Sequence, residues 1–223
     1  MNIKTYILHC KKLTERFQFM NQQMLDHGFT NVTWYTDDDA SDQEGKDLTD
    51  IYEGIRPKGY EKLKIYPPGP VPLLLTPGVI SLATKWGKVI KIIADSDDVY
   101  ALVLEDDALL CENFPKLFDK YLESTPSDWD MIYLGDGCNL HANYTEGKHA
   151  YLKEHPASRC TDSILIKKTA AEKISTTWFP FDHAADFELS WQQYHHDLNV
   201  YWWEPTLVTQ ESQGGRFTSA LNH

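Results

Sequence analysis

The sequence predicts an α/β fold, a mostly parallel central sheet flanked by helices with a mixed C-terminal half, and three observations carry that prediction. Apolar runs of strand length alternate with segments of helical apolar spacing through the first two thirds of the chain. Residues 100–104, Tyr-Ala-Leu-Val-Leu, form a continuous apolar run, as expected of a strand buried on both faces of a parallel sheet. The triplet Glu105-Asp106-Asp107 follows directly, at the strand end where open α/β sheets bind ligands.

Taken in order, residues 3–10 read as the first strand. A helix over 14–25 follows, with Phe17, Met20, Met24 and Leu25 at helical spacing and Gly28 as its stop. Residues 31–36 are the second strand, so the chain opens as a βαβ unit with parallel pairing. The acidic run 37–42 reads as a solvated loop, with a second metal site as the alternative. Residues 43–72, carrying Pro57, Pro67, Pro68, Pro70 and Pro72, read as a long structured loop or flap.

A helix over 79–94 follows, with Pro77 at its start. Beyond the acidic triplet come a helix over 114–122 and a strand over 129–135. The second half reads as strands at 149–153 and 160–167, helices at 169–174 and 182–194, and strands at 200–205 and 207–210. The Gly-hinged tail at 213–217 reads as mobile unless a ligand holds it.

Composition narrows the function. A formal net charge of −12 argues against nucleic acid or anionic membrane as a partner, because both need a basic surface. No segment approaches the roughly 18–20 apolar residues of a membrane span. No apolar leader follows Met1, so a cytoplasmic location is expected. The four cysteines, Cys10, Cys111, Cys138 and Cys160, form no C-x-x-C pair and read as reduced thiols, most of them in the core.

Three adjacent carboxylates repel one another and call for a cation. Side chains alternate along extended chain, so Glu105 and Asp107 point one way and Asp106 the other. Two converging hard oxygen ligands suit Mg²⁺ or Mn²⁺ completed by phosphate and water, the alternative being a solvated acidic loop.

The order of these segments resembles the GT-A glycosyltransferase fold, with its Rossmann-like first half. It is most similar to glycosyltransferase family 25, which contains lipopolysaccharide-core and procollagen galactosyltransferases. The residues 102–108, Leu-Val-Leu-Glu-Asp-Asp-Ala, match that family's I-L-E-D-D-A signature, and 129–135 match its W-D-x-I-x-L-G strand. Glu15-Arg16 resembles its early acid-arginine element, and Ser81 and Trp86 match two residues of its S-H-x-x-x-W helix. Pro180-Phe181-Asp182 resembles its P-x-D element, and Pro205 with Gln210 its closing P-x-x-x-x-Q. Leu82 stands where the family has histidine. The chain's length is comparable to single-domain glycosyltransferases of bacteria and large DNA viruses.

The resemblance implies a single domain over 1–223, with a nucleotide-sugar-binding half over 1–135 and an acceptor-binding half over 136–223. It implies a metal-dependent hexosyltransferase that moves galactose or glucose from a UDP-sugar to a hydroxyl of a glycan or glycoprotein, with inversion. Mn²⁺ or Mg²⁺ would be held by Asp107 and Glu105, and Glu105, Asp106, His9, Arg16 and Arg216 are the candidates for binding the donor. Asp182 and Asp186 are the candidate general bases, Asp182 placed as a helix N-cap and Asp186 one turn on; the alternative is a cap and a solvated first-turn acid. Trp191, Tyr194, Trp202 and Trp203 are either core or a stacking surface for an acceptor sugar. His183, His195, His196 and His223 read as surface residues. The competing readings are a catalytically inactive glycan-binding domain of the same fold, a glycoside hydrolase, and a metal-dependent nucleotidyltransferase.

Overall fold

The computed structural model describes residues 1–52, 75–154, 159–219 and 221. The expected long loop lies outside the described residues from position 53 onward, as does His223. The chain runs β1 (Thr5–Leu8), α1 (Thr14–Asp26), β2 (Val32–Tyr35), α2 (Ala40–Gln43), α3 (Pro77–Asp95), β3 (Tyr100–Glu105), β4 (Ala108–Leu110), α4 (Phe114–Ser124) and β5 (Met131–Tyr133). It continues through a 3-10 turn at Gly137–Asn139, β6 (Ala150–Leu152), β7 (Ser163–Lys167), α5 (Lys168–Ser175), α6 (Ala185–His195), β8 (Val200–Trp203), β9 (Val208–Gln210) and α7 (Glu211–Gly214).

One seven-stranded sheet has the order β2-β1-β3-β7-β5-β8-β6. β1 pairs parallel with β2 and β3, Ile7 lying opposite Trp34 and Leu104. β5 pairs parallel with β8, whereas β7 runs antiparallel between β3 and β5, and β6 antiparallel to β8. The sheet is therefore mixed. Its opening strands are parallel, as the βαβ spacing requires, but β7 separates β3 from β5 and brings residues 161–163 beside the end of β3.

The strand period of two builds the layers. Tyr6, Leu8, Ala101 and Val103 join the core under α3, α5 and α6, with Trp86 and Trp178. Ile7, Leu102 and Leu104 face the opposite way, into the core with Met20 of α1 and Phe114 and Phe118 of α4. Both faces of β3 are thus covered, which is why its sequence shows no alternation. α3 is started as its sequence suggests, by the Thr76 hydroxyl accepting from the Val79 N–H at 3.3 Å and by Pro77 in the first turn.

β4 and β9 form a separate antiparallel ribbon, Ala108 opposite Gln210. β4 is too short to show a period in sequence. It makes the chain leave the main sheet immediately after Asp107, and Glu211 N–H donates back to Asp107 O at 2.9 Å.

Four expectations need correction. Asp182 is not the N-cap of α6: Ala184 holds that position, and Asp182 is buried upstream. His183 is buried rather than on the surface, because the segment entering α6 runs through the interior beside Phe181. None of the cysteines is a core residue; Cys138 is exposed and Cys10, Cys111 and Cys160 are half-buried. The acidic run 37–42 is only partly solvated, since Asp39 is 3% exposed and forms a capping box with Asp42 at the start of α2. Among the described residues no helix is long and apolar enough to cross a membrane.

Candidate functional site

The ends of β1 and β3 lie side by side, Leu8 opposite Glu105, so whatever follows each strand meets at one edge. Asp106 is the residue that both sides use. Its Oδ1 accepts from Arg16 Nη1 at 2.7 Å, and its Oδ2 lies 2.8 Å from His9 Nδ1. All three side chains are almost wholly buried. Arg16 therefore belongs to the interior rather than to an exposed helix face, and its Nη2 donates to Thr218 O at 2.7 Å. The same guanidinium lies 3.5 Å from Asp107 Oδ2.

β3 ends at Glu105, and the turn at residues 106–107 brings the Asp107 carboxylate back toward that of Glu105. The Gln210 amide lies between them, Nε2 at 3.4 Å from Glu105 Oε2 and 3.5 Å from Asp107 Oδ1. The β4–β9 ribbon sets that amide in place. Thr161 Oγ1 donates to Glu105 Oε1, and Glu105 N–H donates to Asp162 O at 2.9 Å. Burial, and then the charge on Asp107, push the Glu105 carboxyl up to about 8. Burial likewise pushes Asp162 up to about 7, although the Ser163 hydroxyl donates to it at 2.7 Å. Asp162 fits only because position 135 is glycine: a Cβ there would lie 2.0 Å from Asp162 Oδ2.

A cavity of about 390 Å³ opens over this edge, lined by His9, Arg16, Lys85, Glu105, Asp106 and Asp107 among others. Its far wall is α3. Lys85 is buried there, its Nζ donating to Asp39 Oδ1 at 2.8 Å, to His9 O at 3.1 Å and to Asp37 O. Ser81, one turn earlier, donates to Asp38 O at 2.7 Å. Ser81 was legible as a match to the family's serine, whereas Lys85, one turn on, is one of three lysines of α3 and carried no mark that set it apart from Lys88 and Lys91.

A second cavity of about 260 Å³ adjoins the first, and Leu82, Glu105, Gln210 and Ser212 line both. Asp186 lines it, together with Cys160 and Thr161. Burial raises the Asp186 carboxyl above its usual range. Asp182 lines neither cavity. Arg216 is exposed, its guanidinium 4.5 Å from the Phe19 ring centroid, and it too lies outside both linings. Trp202 and Trp203 are core residues, while Trp191 stacks on His195 at 4.4 Å and Tyr194 is exposed. The structure thus brings together His9, Arg16, Glu105, Asp106, Asp107 and Asp186, and leaves Asp182, Arg216 and the aromatics aside.

The donor set suits a hard divalent cation that keeps open positions. Glu105 and Asp107 offer carboxylate oxygens around one amide, and Asp106 is taken by Arg16 and His9. Among the described residues no group of three or more His, Cys, Asp or Glu side chains could hold a metal alone. Two protein carboxylates completed by phosphate oxygens and water is the usual arrangement for Mg²⁺.

No family model and no curated protein matches the chain. It is similar to a solved structure, that of A197 from STIV. The two share 13% identity over 93% of this chain and 83% of that one, with a TM-score of 0.42. At that level of likeness no activity transfers from one protein to the other.

Removing Asp106 leaves a buried guanidinium without its main partner and His9 without its hydrogen bond. Asp106→Ala is therefore expected to lower unfolding stability by about 3–5 kcal/mol, measured by urea denaturation. A loss below about 1 kcal/mol would show that the pair behaves like a solvent-screened surface bridge.

Proposed function

We propose that this chain is a metal-dependent glycosyltransferase of the GT-A type, similar to family 25. In this reading it transfers a hexose, galactose or glucose, from a UDP-sugar to a hydroxyl of a glycan or glycoprotein, with inversion at the anomeric carbon. The observation that carries the reading is the pairing of Glu105 and Asp107 around Gln210 in the cavity at the ends of β1 and β3, with Arg16 beside them. Carboxylates alone would repel a nucleoside diphosphate, so the site suits that ligand only with a cation between them. Glu105 and Asp107 are the residues that would hold Mn²⁺ or Mg²⁺, and the chemistry such an ion supplies is neutralisation of the charge on the departing diphosphate.

The chain's own groups divide the remaining work. Arg16 is a fixed positive charge at the cavity, oriented by Asp106. Asp186, in the adjoining cavity, has the raised affinity for a proton that suits a base taking the proton of an acceptor hydroxyl. Two adjoining cavities with Glu105 and Gln210 in both linings suit a donor in one and an acceptor in the other. Leu82 lines both cavities and stands where the family has histidine, which favours, as a second reading, a glycan-binding domain that has lost turnover.

Calorimetric titration of UDP with Mn²⁺ and with EDTA tests the first reading. Binding is expected with Mn²⁺, weakened at least about tenfold, or about 1.4 kcal/mol, by EDTA or by Asp107→Ala. Failure to bind UDP under either condition would refute it. Turnover of a UDP-sugar separates the enzyme from the binding domain.

The role of Asp186 gives a pH dependence with a definite sign. A base must be deprotonated, and burial raises this carboxyl, so kcat/KM should fall as pH decreases, with a midpoint above the ordinary carboxylate range. Asp186→Asn should reduce kcat by about 10²–10⁴-fold and remove that limb. An unchanged profile in the variant would assign the base elsewhere.

A further inference from the structure

Two turns meet where β5 ends and β7 begins. One is the 3-10 turn Gly137–Asn139, in which Cys138 is left-handed at φ 60° and ψ 18°. The other leads into β7, and Cys160 in it is also left-handed, at φ 59°. Non-glycine residues enter this region infrequently, so each thiol is aimed by its turn rather than free to choose a direction along extended chain. Position 137 holds the turns together. A Cβ there would fall 2.1 Å from Arg159 O and 2.6 Å from the Cys160 Cβ, so only glycine allows such an approach.

The outcome is a thiol pair with Sγ–Sγ 3.4 Å apart, Cys138 exposed and Cys160 half-buried behind it. A disulfide needs about 2.05 Å between the sulfurs. Closing that gap requires rotation of the two side chains and relaxation of the turns that carry them. An exposed sulfur in front and a sheltered one at contact distance is the arrangement of an attacking and a resolving thiol.

We propose that Cys138 and Cys160 form a reversible oxidation site whose co-substrate is a hydroperoxide and whose product is an intramolecular disulfide. The Cys138 sulfur, as thiolate, attacks the distal peroxide oxygen and the O–O bond breaks. Cys138 becomes a sulfenic acid, and the other oxygen leaves as water or an alcohol. The Cys160 sulfur then displaces the sulfenic oxygen as water. Two thiol protons and two electrons pass to the peroxide in all. The site borders the second cavity without being part of the proposed transfer chemistry: Cys160 Sγ lies 3.8 Å from Gln213 Nε2, and the next residue, Thr161, holds Glu105.

The test is treatment of the folded full chain with a small excess of hydrogen peroxide, followed by alkylation and peptide mapping. The expected product has lost two hydrogen masses and two of its four thiols, carries a linked pair of peptides containing Cys138 and Cys160, and returns to the starting mass with dithiothreitol. Cys160→Ser should instead hold one added oxygen on Cys138 that a sulfenic-acid probe captures. Cys138→Ser should slow loss of the Cys160 thiol at least about tenfold. Conversion of Cys138 to its sulfinic acid with Cys160 still alkylatable, or disulfides only between molecules, would overturn the proposal. Because wild-type mapping needs no variant, a folding defect in either substitution does not blunt the result.

Discussion

The buried pairing of Asp106 with Arg16 and His9 is the constraint on which the rest of the site depends. It ties α1 and the end of β1 to the end of β3, and through Thr218 it reaches the last described stretch of the chain. Three consecutive acids at a strand end cannot all be buried as anions without partners. Here Asp106 takes His9 and the shorter contact with Arg16, and the turn after β3 brings Glu105 and Asp107 together at Gln210. Arg16 also lies 3.5 Å from Asp107, so its charge is shared between the two aspartates while Glu105 has no cation beside it.

Under the proposed function, that arrangement is what would let an acidic chain accept an anionic ligand. The net charge of −12 sets the long-range field against nucleic acid, yet the local requirement at Glu105 and Asp107 is for positive charge. Glu105 responds by taking up a proton more readily, and Asp162 behind it does the same. Under the proposed function a divalent cation held by Glu105 and Asp107 would relieve the same repulsion by another route. The proposed substrate class follows from this electrostatic need together with the resemblance of residues 102–108 to a known transferase signature.

The order of elements was legible because strands and helices long enough to show a period showed one: the apolar spacing of α3, the continuous apolar run of β3, and Met20 and Met24 in α1, where Phe17 and Leu25 of the same spacing are exposed and Arg16 and Gln23 are buried instead. Register around the site was not. β4 and β9 are three residues each, too short for any periodic signal, yet their pairing brings Gln210 between the two acids. β7 carries no mark in its sequence that it inserts antiparallel beside β3, and that insertion alone places Thr161 and Asp162 at Glu105. Arg16 was readable as a candidate, but the choice between a surface bridge and a buried one depends on which face of α1 meets the sheet. Lys85 was hidden because it is one of three lysines of α3 and a helix lysine reads as solvent-facing, whereas here it binds three groups at a strand-end cavity. Asp182 shows the reverse error: an acid placed suitably for a cap lies upstream of a helix that begins three residues later.

The central claim is that Glu105 and Asp107 jointly hold a cation at the cavity while Asp106 does not. Anomalous diffraction from crystals grown with Mn²⁺ and UDP addresses it directly. The account predicts a manganese peak in contact with carboxylate oxygens of Glu105 and Asp107, bridged to the diphosphate, with Asp106 still bound to Arg16 and His9. A nucleotide seated in the cavity with its manganese away from both acids, or with Asp106 released to bind it, would contradict the account.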